Sequence, residues 1–105
     1  MSEEQVTEWP KNAVGKVGNS VTFNCSGTDM TWYESVTIPL QPQILALKNF
    51  ILDSSRYHVT KTPTGAFNLN IKVVNLSDAG RYKCQKTDDG SVHKIVELIV
   101  LGKSR

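Results

Sequence analysis

The 105 residues hold only two cysteines, two histidines and four prolines, and each scarcity excludes something. Two thiols cannot build a structural zinc site, and Cys25 and Cys84 stand 59 positions apart, unlike a CxxC redox pair. His58 and His93 fall in different segments with no paired acid and cysteine, which leaves no catalytic or metal pattern. No glycine loop of the phosphate-cradling kind occurs. The longest apolar run, Leu98 to Leu101, is far too short to span a bilayer. Twelve Lys and Arg against ten Asp and Glu leave a net charge of +2, with no footprint for nucleic acid or an anionic membrane. No window carries a sustained i, i+3, i+4 apolar stripe with a cap at its start, so no helix of useful length is expected. The residues give no support for an enzyme, a cofactor or a bound metal.

What the chain has instead is short alternating runs closed by turn residues, the signature of strands. Gln5–Trp9 reads as a first strand stopped by Pro10. In Ser20–Cys25, Val21, Phe23 and Cys25 share one face, with Thr22 and Asn24 on the other. Met30–Glu34 follows a short SGTD loop at 26–29. Gln43–Leu47 is apolar, and Lys48–Leu52 pairs loosely beside it. Tyr57–Lys61 and Ala66–Val73 flank a TPTG turn, and Phe67, Leu69, Ile71 and Val73 are expected on one face. Arg81–Lys86 and Val92–Leu101 flank a DDGS turn, where Gly90 can take positive φ. Eight or nine short strands with frequent turns predict an all-β sandwich or small barrel. The length suits a single domain over 1–105, with 101–105 the start of a linker or tail. A disulfide between Cys25 and Cys84 would close a long loop and contribute about 4 kcal/mol on the chain-entropy view. Such a bond belongs in an oxidising compartment, whereas reduced thiols would fit the cytosol. The opening MSEEQ lacks a basic and apolar leader, so the disulfide reading implies an excised piece of a secreted or membrane-anchored chain.

Trp32 lies seven residues after Cys25, and Tyr82 shares a face with Cys84. That layout sets an indole against an inter-sheet disulfide, and a tyrosine whose hydroxyl can brace the turn upstream. Gly80 allows a close backbone approach in that turn. VGNSVTFNC at 17–25, TWYES at 31–35 and FNLNIKVVNLSDAGRYKC at 67–84, in that order, resemble an immunoglobulin-superfamily domain over nearly the whole chain. The room between Trp32 and Cys84 for two extra strands resembles the V-set, or a V-like I-set variant. The resemblance implies an antiparallel Greek-key sandwich, the Cys25–Cys84 disulfide, and a salt bridge between Arg56 and Asp78 closing its lower end. An Arg fork can meet a carboxylate bidentately, which suits such a latch. The last strand, VHKIVELIV, lacks the Phe-Gly-x-Gly bulge of antigen-receptor variable domains.

The tip loops at 26–29 and 87–91 are short and have no aromatic anchor of the kind binding hot spots favour. Strand parity points elsewhere. With Trp32, Tyr82 and Cys84 inward, Thr31, Tyr33 and Ser35, and Arg81, Lys83 and Gln85, face outward. With Val96, Leu98 and Val100 in the core, Ile95, Glu97 and Ile99 face outward, joined by Ile44 and Ala46 or their neighbours. Lys94 shares the inward parity, so an irregularity is expected near His93–Ile95. The expected partner-binding face is Tyr33, Ile44, Lys83, Gln85, Ile95, Glu97 and Ile99. Its partner is a protein, with a homodimer as one form. Asn75-Leu-Ser and Asn24-Cys-Ser are glycosylation sequons. The resemblance thus implies an extracellular recognition module of adhesion or receptor type. The alternatives are a soluble immune-recognition domain and an intracellular structural I-set domain with both thiols reduced.

Overall fold

A computed structural model of the protein describes residues 6–35 and 43–102. Gln5, expected to open the first strand, and the end of the tail at 103–105 lie outside the described residues. Alternation of apolar and polar side chains forces strands with one dry face, and eleven form among the described residues. They are β1 (Val6–Glu8), β2 (Ala13–Lys16), β3 (Val21–Phe23), β4 (Ser26–Gly27), β5 (Met30–Ser35), β6 (Gln43–Leu47), β7 (Phe50–Ile51), β8 (Tyr57–Lys61), β9 (Phe67–Ile71), β10 (Gly80–Lys86) and β11 (Asp89–Leu101). One 3-10 turn, Leu76–Asp78, precedes β10. A six-stranded sheet in the order β2-β11-β10-β5-β6-β7 packs on a three-stranded sheet, β3-β9-β8, with β1 and β4 as a short side ribbon. Every pairing is antiparallel except β2 with β11.

The core lies between the two sheets. Val21, Phe23, Cys25, Leu69 and Ile71 from one layer meet Trp32, Leu45, Tyr82, Cys84, Val96 and Leu98 from the other. Full burial of each large apolar side chain is worth about 1.5–3 kcal/mol. Three links cross the layers. The Cys25–Cys84 disulfide is formed. Trp32, paired with Cys84 across the β5–β10 ladder, donates from Nε1 to the carbonyl of Phe67 at 2.6 Å. The Phe23 ring sits 5.9 Å from Trp32 and 5.4 Å from Tyr82, centroid to centroid.

Several local expectations change. Two strands were not expected. β2 carries its valine outward, and its core-facing residue is Gly15, where a Cβ would stand 2.5 Å from Val21 Cγ2. The apolar alternation that reveals a strand is therefore inverted there. In the SGTD segment, Ser26 and Gly27 pair with β1 as β4, and only Thr28 and Asp29 remain in the bend. β9 ends at Ile71, so Val73 leaves the expected face and is 60% exposed, while Val74 takes the buried place. Its amide donates to Asn19 O and its carbonyl accepts from Gly18, which turns the chain by one residue. The β10–β11 turn closes at Thr87–Asp88, between Lys86 and Asp89, rather than at DDGS. Gly90 is not among the positive-φ glycines; Asp89 Oδ1 instead accepts from Ser91 N and Oγ. The register slips between Gln85↔His93 and Lys86↔Asp89, so the irregularity falls at residues 90–92, before His93–Ile95. Beyond it, Lys94 pairs with Cys84 in regular register and its side chain reaches solvent.

Candidate functional site

The lower end of the sandwich is fastened by charge. The turn at Asp53 sends Arg56 toward the 3-10 turn, where Asp78 is only 3% exposed. Arg56 Nη2 lies 2.9 Å from Asp78 Oδ1 and 2.7 Å from Oδ2. One nitrogen serves both oxygens, so the contact is not the two-nitrogen fork; Nη1 turns toward the Tyr57 hydroxyl at 3.5 Å. Asp78 Oδ2 also accepts from Asn75 N, while its carbonyl accepts the Tyr82 hydroxyl at 2.5 Å. The hydrogen bond to Asp78 pushes the Arg56 pKa up, and burial pushes Tyr82 up, so both hold their protons. Glu34 faces the same end from β5. Burial raises its pKa, the Asp78 charge adds to the rise, and Arg56 opposes it. Gly80 is needed here for its φ of +143° and not for close approach, since a Cβ would meet nothing within 4 Å.

The outer face of the six-stranded sheet gathers the other candidate residues. Ile95 pairs with Lys83, Lys83 with Tyr33, and Tyr33 with Ile44, so four strands contribute one transverse row. Lys83 Nζ stands 4.8 Å from the Tyr33 ring centroid. Such a contact is worth about 0.5–1 kcal/mol at an exposed site. Ile95 is 49% exposed, Tyr33, Ile44, Lys83 and Gln85 are half-buried, and Glu97 is exposed. Glu97 pairs with Arg81 in the next row, and Ile99 pairs with Val14 of β2.

Two outward assignments fail. Thr31 is 1% exposed because its Oγ1 bonds Thr87 Oγ1 at 2.7 Å, which draws the β10–β11 turn over it. Ala46 is buried because the β5–β6 register jumps from Trp32↔Ala46 to Tyr33↔Ile44. Leu45 is the extra residue of that bulge, so both Leu45 and Ala46 enter the core and Leu47 turns outward. Leu47 pairs with Phe50, which brings Phe50 onto the outer face at 49% exposure. Sequence parity missed Phe50, Leu47 and Val14, and two adjacent apolar residues at 45–46 were the available sign of a bulge. The three-stranded sheet differs: Thr22, Asn24, His58, Thr60, Asn68, Asn70 and Lys72 face outward. Asn70 bonds Thr22, and Asn68 Oδ1 accepts from Cys25 N.

Of the sequons, Asn75 caps the 3-10 turn, with its Oδ1 accepting from both the Ser77 amide and the Ser77 hydroxyl. Asn24 is also exposed. Among the described residues no group of His, Cys, Asp and Glu could hold a metal ion, and no helix is long and apolar enough to cross a membrane.

Residues 8–101 match the family described as the immunoglobulin V-set domain. Protein amalgam of Drosophila melanogaster is 30% identical over 98 residues, 81% of this chain and 29% of amalgam. Smooth-muscle myosin light chain kinase of Gallus gallus is 37% identical over 67 residues, 61% of this chain and 4% of the kinase. The chain thus spans under a third of the length of these relatives. Among solved structures, the RIG-5 IG1 homodimer matches with a TM-score of 0.78 at 21% identity, covering 92% of this chain and 96% of that one. Dpr1 IG1 bound to DIP-eta IG1 matches with a TM-score of 0.74 at 21% identity, covering 92% and 94%. At these identities the likeness shows the fold. By the extent of its match, this chain belongs to the immunoglobulin V-set family.

Proposed function

We propose that the domain is an extracellular recognition module of the adhesion or receptor type, binding a protein partner through the outer face of its six-stranded sheet. One observation carries this reading: the two sheets present opposite surfaces. The outer face of the three-stranded sheet is Asn, Thr, His and Lys, while that of the six-stranded sheet exposes Ile95, Ile99, Phe50 and Val14 around Tyr33. Exposed large apolar side chains with charged neighbours, gathered on one side of a small domain, are a usual mark of an interaction surface. The partner is a protein, with a second copy of the domain as one form. RIG-5 IG1 is seen as a homodimer, and Dpr1 IG1 is seen bound to a different domain. The disulfide supports an oxidising compartment. There the exposed Asn75 is the acceptor for an N-linked glycan, at the lower end and clear of the Tyr33 row, with Asn24 the second sequon.

Chemical-shift mapping over a concentration series tests the face. Changes concentrated at Tyr33, Ile44, Lys83 and Ile95 support it. Changes confined to 26–29 and 87–91 would move recognition to the tip and favour the immune-type alternative. The second reading is an intracellular structural domain with both thiols reduced. Thiol titration of the protein recovered from its natural source separates the two. No free thiol is expected, and two free thiols would establish the intracellular reading.

A further inference from the structure

The chemistry of the outer face narrows the partner. This inference rests on the reading of that face as the recognition surface. The row Ile95–Lys83–Tyr33–Ile44 crosses the middle of the sheet, and β10, which carries Lys83, is the third of six strands. Lys83 is half-buried, and its ammonium is held over the Tyr33 ring. The ion pairs among the described residues are Arg56–Asp78 and Lys86–Asp88, and neither involves Lys83 or Arg81. Arg81 is exposed in the adjacent row, with Glu97 as its cross-strand neighbour and the face's lone acid among the paired rows. A partner that covers this row must remove water from Lys83. An unpaired charge is costly to desolvate, whereas a carboxylate brought to it forms a short, charge-assisted hydrogen bond. Two copies packed face to face with the two-fold axis at the centre of this row would bring both Lys83 side chains into one patch, while the acid of the face, Glu97, lies one row away beside Arg81. Like charges so placed oppose association.

We propose that the partner this face fits is a non-identical protein surface carrying a carboxylate at its centre between apolar side chains. A second copy of this chain is the weaker occupant. The apolar flanks of the partner would rest on Ile95, Ile44 and Phe50, and its acid would meet Lys83 above Tyr33. Lys83 is then the residue that sets specificity, and the isoleucines and Phe50 supply the buried area.

The domain itself provides a defined probe, because a Lys83→Glu copy carries an acid at the required place. Sedimentation equilibrium is measured for the wild type, for Lys83→Glu, and for their equimolar mixture, at low and high salt. The mixture should associate roughly tenfold more tightly than either protein alone. Salt should shrink that advantage, because the Debye length falls from about 10 Å at 0.1 M to about 3 Å at 1 M. Lys83→Gln, which removes the charge with little change of shape, should raise self-association above the wild type. Wild-type self-association equal to or tighter than the mixture overturns the proposal, as does an absence of association in every sample. Ile95→Asp, introduced into both copies, separates the two levels of the argument. Association that survives Ile95→Asp removes the recognition face itself. Association that is lost with Ile95→Asp, yet shows no preference for the mixture, removes only the acidic partner.

Discussion

At Gly80 the backbone takes φ +143° on entering β10, a region open to glycine and strained for any residue with a Cβ. A Cβ there would touch nothing within 4 Å, so the effect of a side chain is one of backbone alone. Gly80→Ala should lower stability by about 1–3 kcal/mol, read from the urea midpoint with an unchanged slope. Glu34 makes an opposite kind of prediction. Burial first, and the Asp78 charge second, raise its pKa above 4.5 in the folded protein. The native state therefore holds the proton over a range where the unfolded chain has released it. Stability from this group falls as pH rises from about 4.5 through the raised value. Glu34→Gln removes that loss, so the variant should be the more stable at pH 7. The difference should vanish at pH below the ordinary glutamate range, as measured by thermal unfolding across pH. The latch residues behave as a set, because Asp78 serves Arg56, the Asn75 amide and the Tyr82 hydroxyl at once. The Arg56–Asp78 pair was expected from the sequence because the resemblance to the immunoglobulin superfamily implies it. Glu34 has no place in that motif, and only the sandwich brings its carboxyl near their charges.

At the scale of elements, strands with a plain apolar alternation were readable and strands without one were not. β6 and β8 run over the expected residues, Gln43–Leu47 and Tyr57–Lys61. β2 was hidden, since its inward residue is a glycine fitted against Val21. Parity, once started from a fixed residue, is reliable until a bulge interrupts it. It held along β11 from Ile95 to Ile99 and failed on β6, where Leu45 adds one residue and carries Ala46 inward. The strongest tie between elements is the disulfide, which joins the chain just after β3 to β10 and lies beside Trp32. Replacing both cysteines by alanine should cost about 2–5 kcal/mol, measured by chemical denaturation. The Trp32–Phe67 hydrogen bond and the Phe23 contacts leave the double variant with its layers still in contact.

For the whole molecule, the two outward faces differ in composition, one exposing Ile95, Ile99 and Phe50 and the other Asn, Thr, His and Lys. Substitution on the proposed recognition face should separate binding from stability. Tyr33→Ala, introduced into both proteins of the wild-type and Lys83→Glu mixture, is expected to weaken their association at least tenfold while changing the unfolding free energy by about 1 kcal/mol or less, since the ring is only half-buried. Parallel titration of association and urea unfolding checks this. By itself the sequence determined an all-β sandwich or small barrel, because burial on one side of a strand writes itself as alternation, and its motifs around Cys25, Trp32 and Cys84 carried the resemblance to the immunoglobulin superfamily. It also placed Tyr33, Ile95 and Ile99 outward, since parity is a local property. The tertiary structure decided which of those side chains share a row and that Phe50 joins them. It also decided that Thr31 is sealed beneath Thr87 and that Glu34 enters the field of Arg56 and Asp78. Register, bulges and the packing of one layer on another depend on residues far apart in the chain, and no local pattern records them.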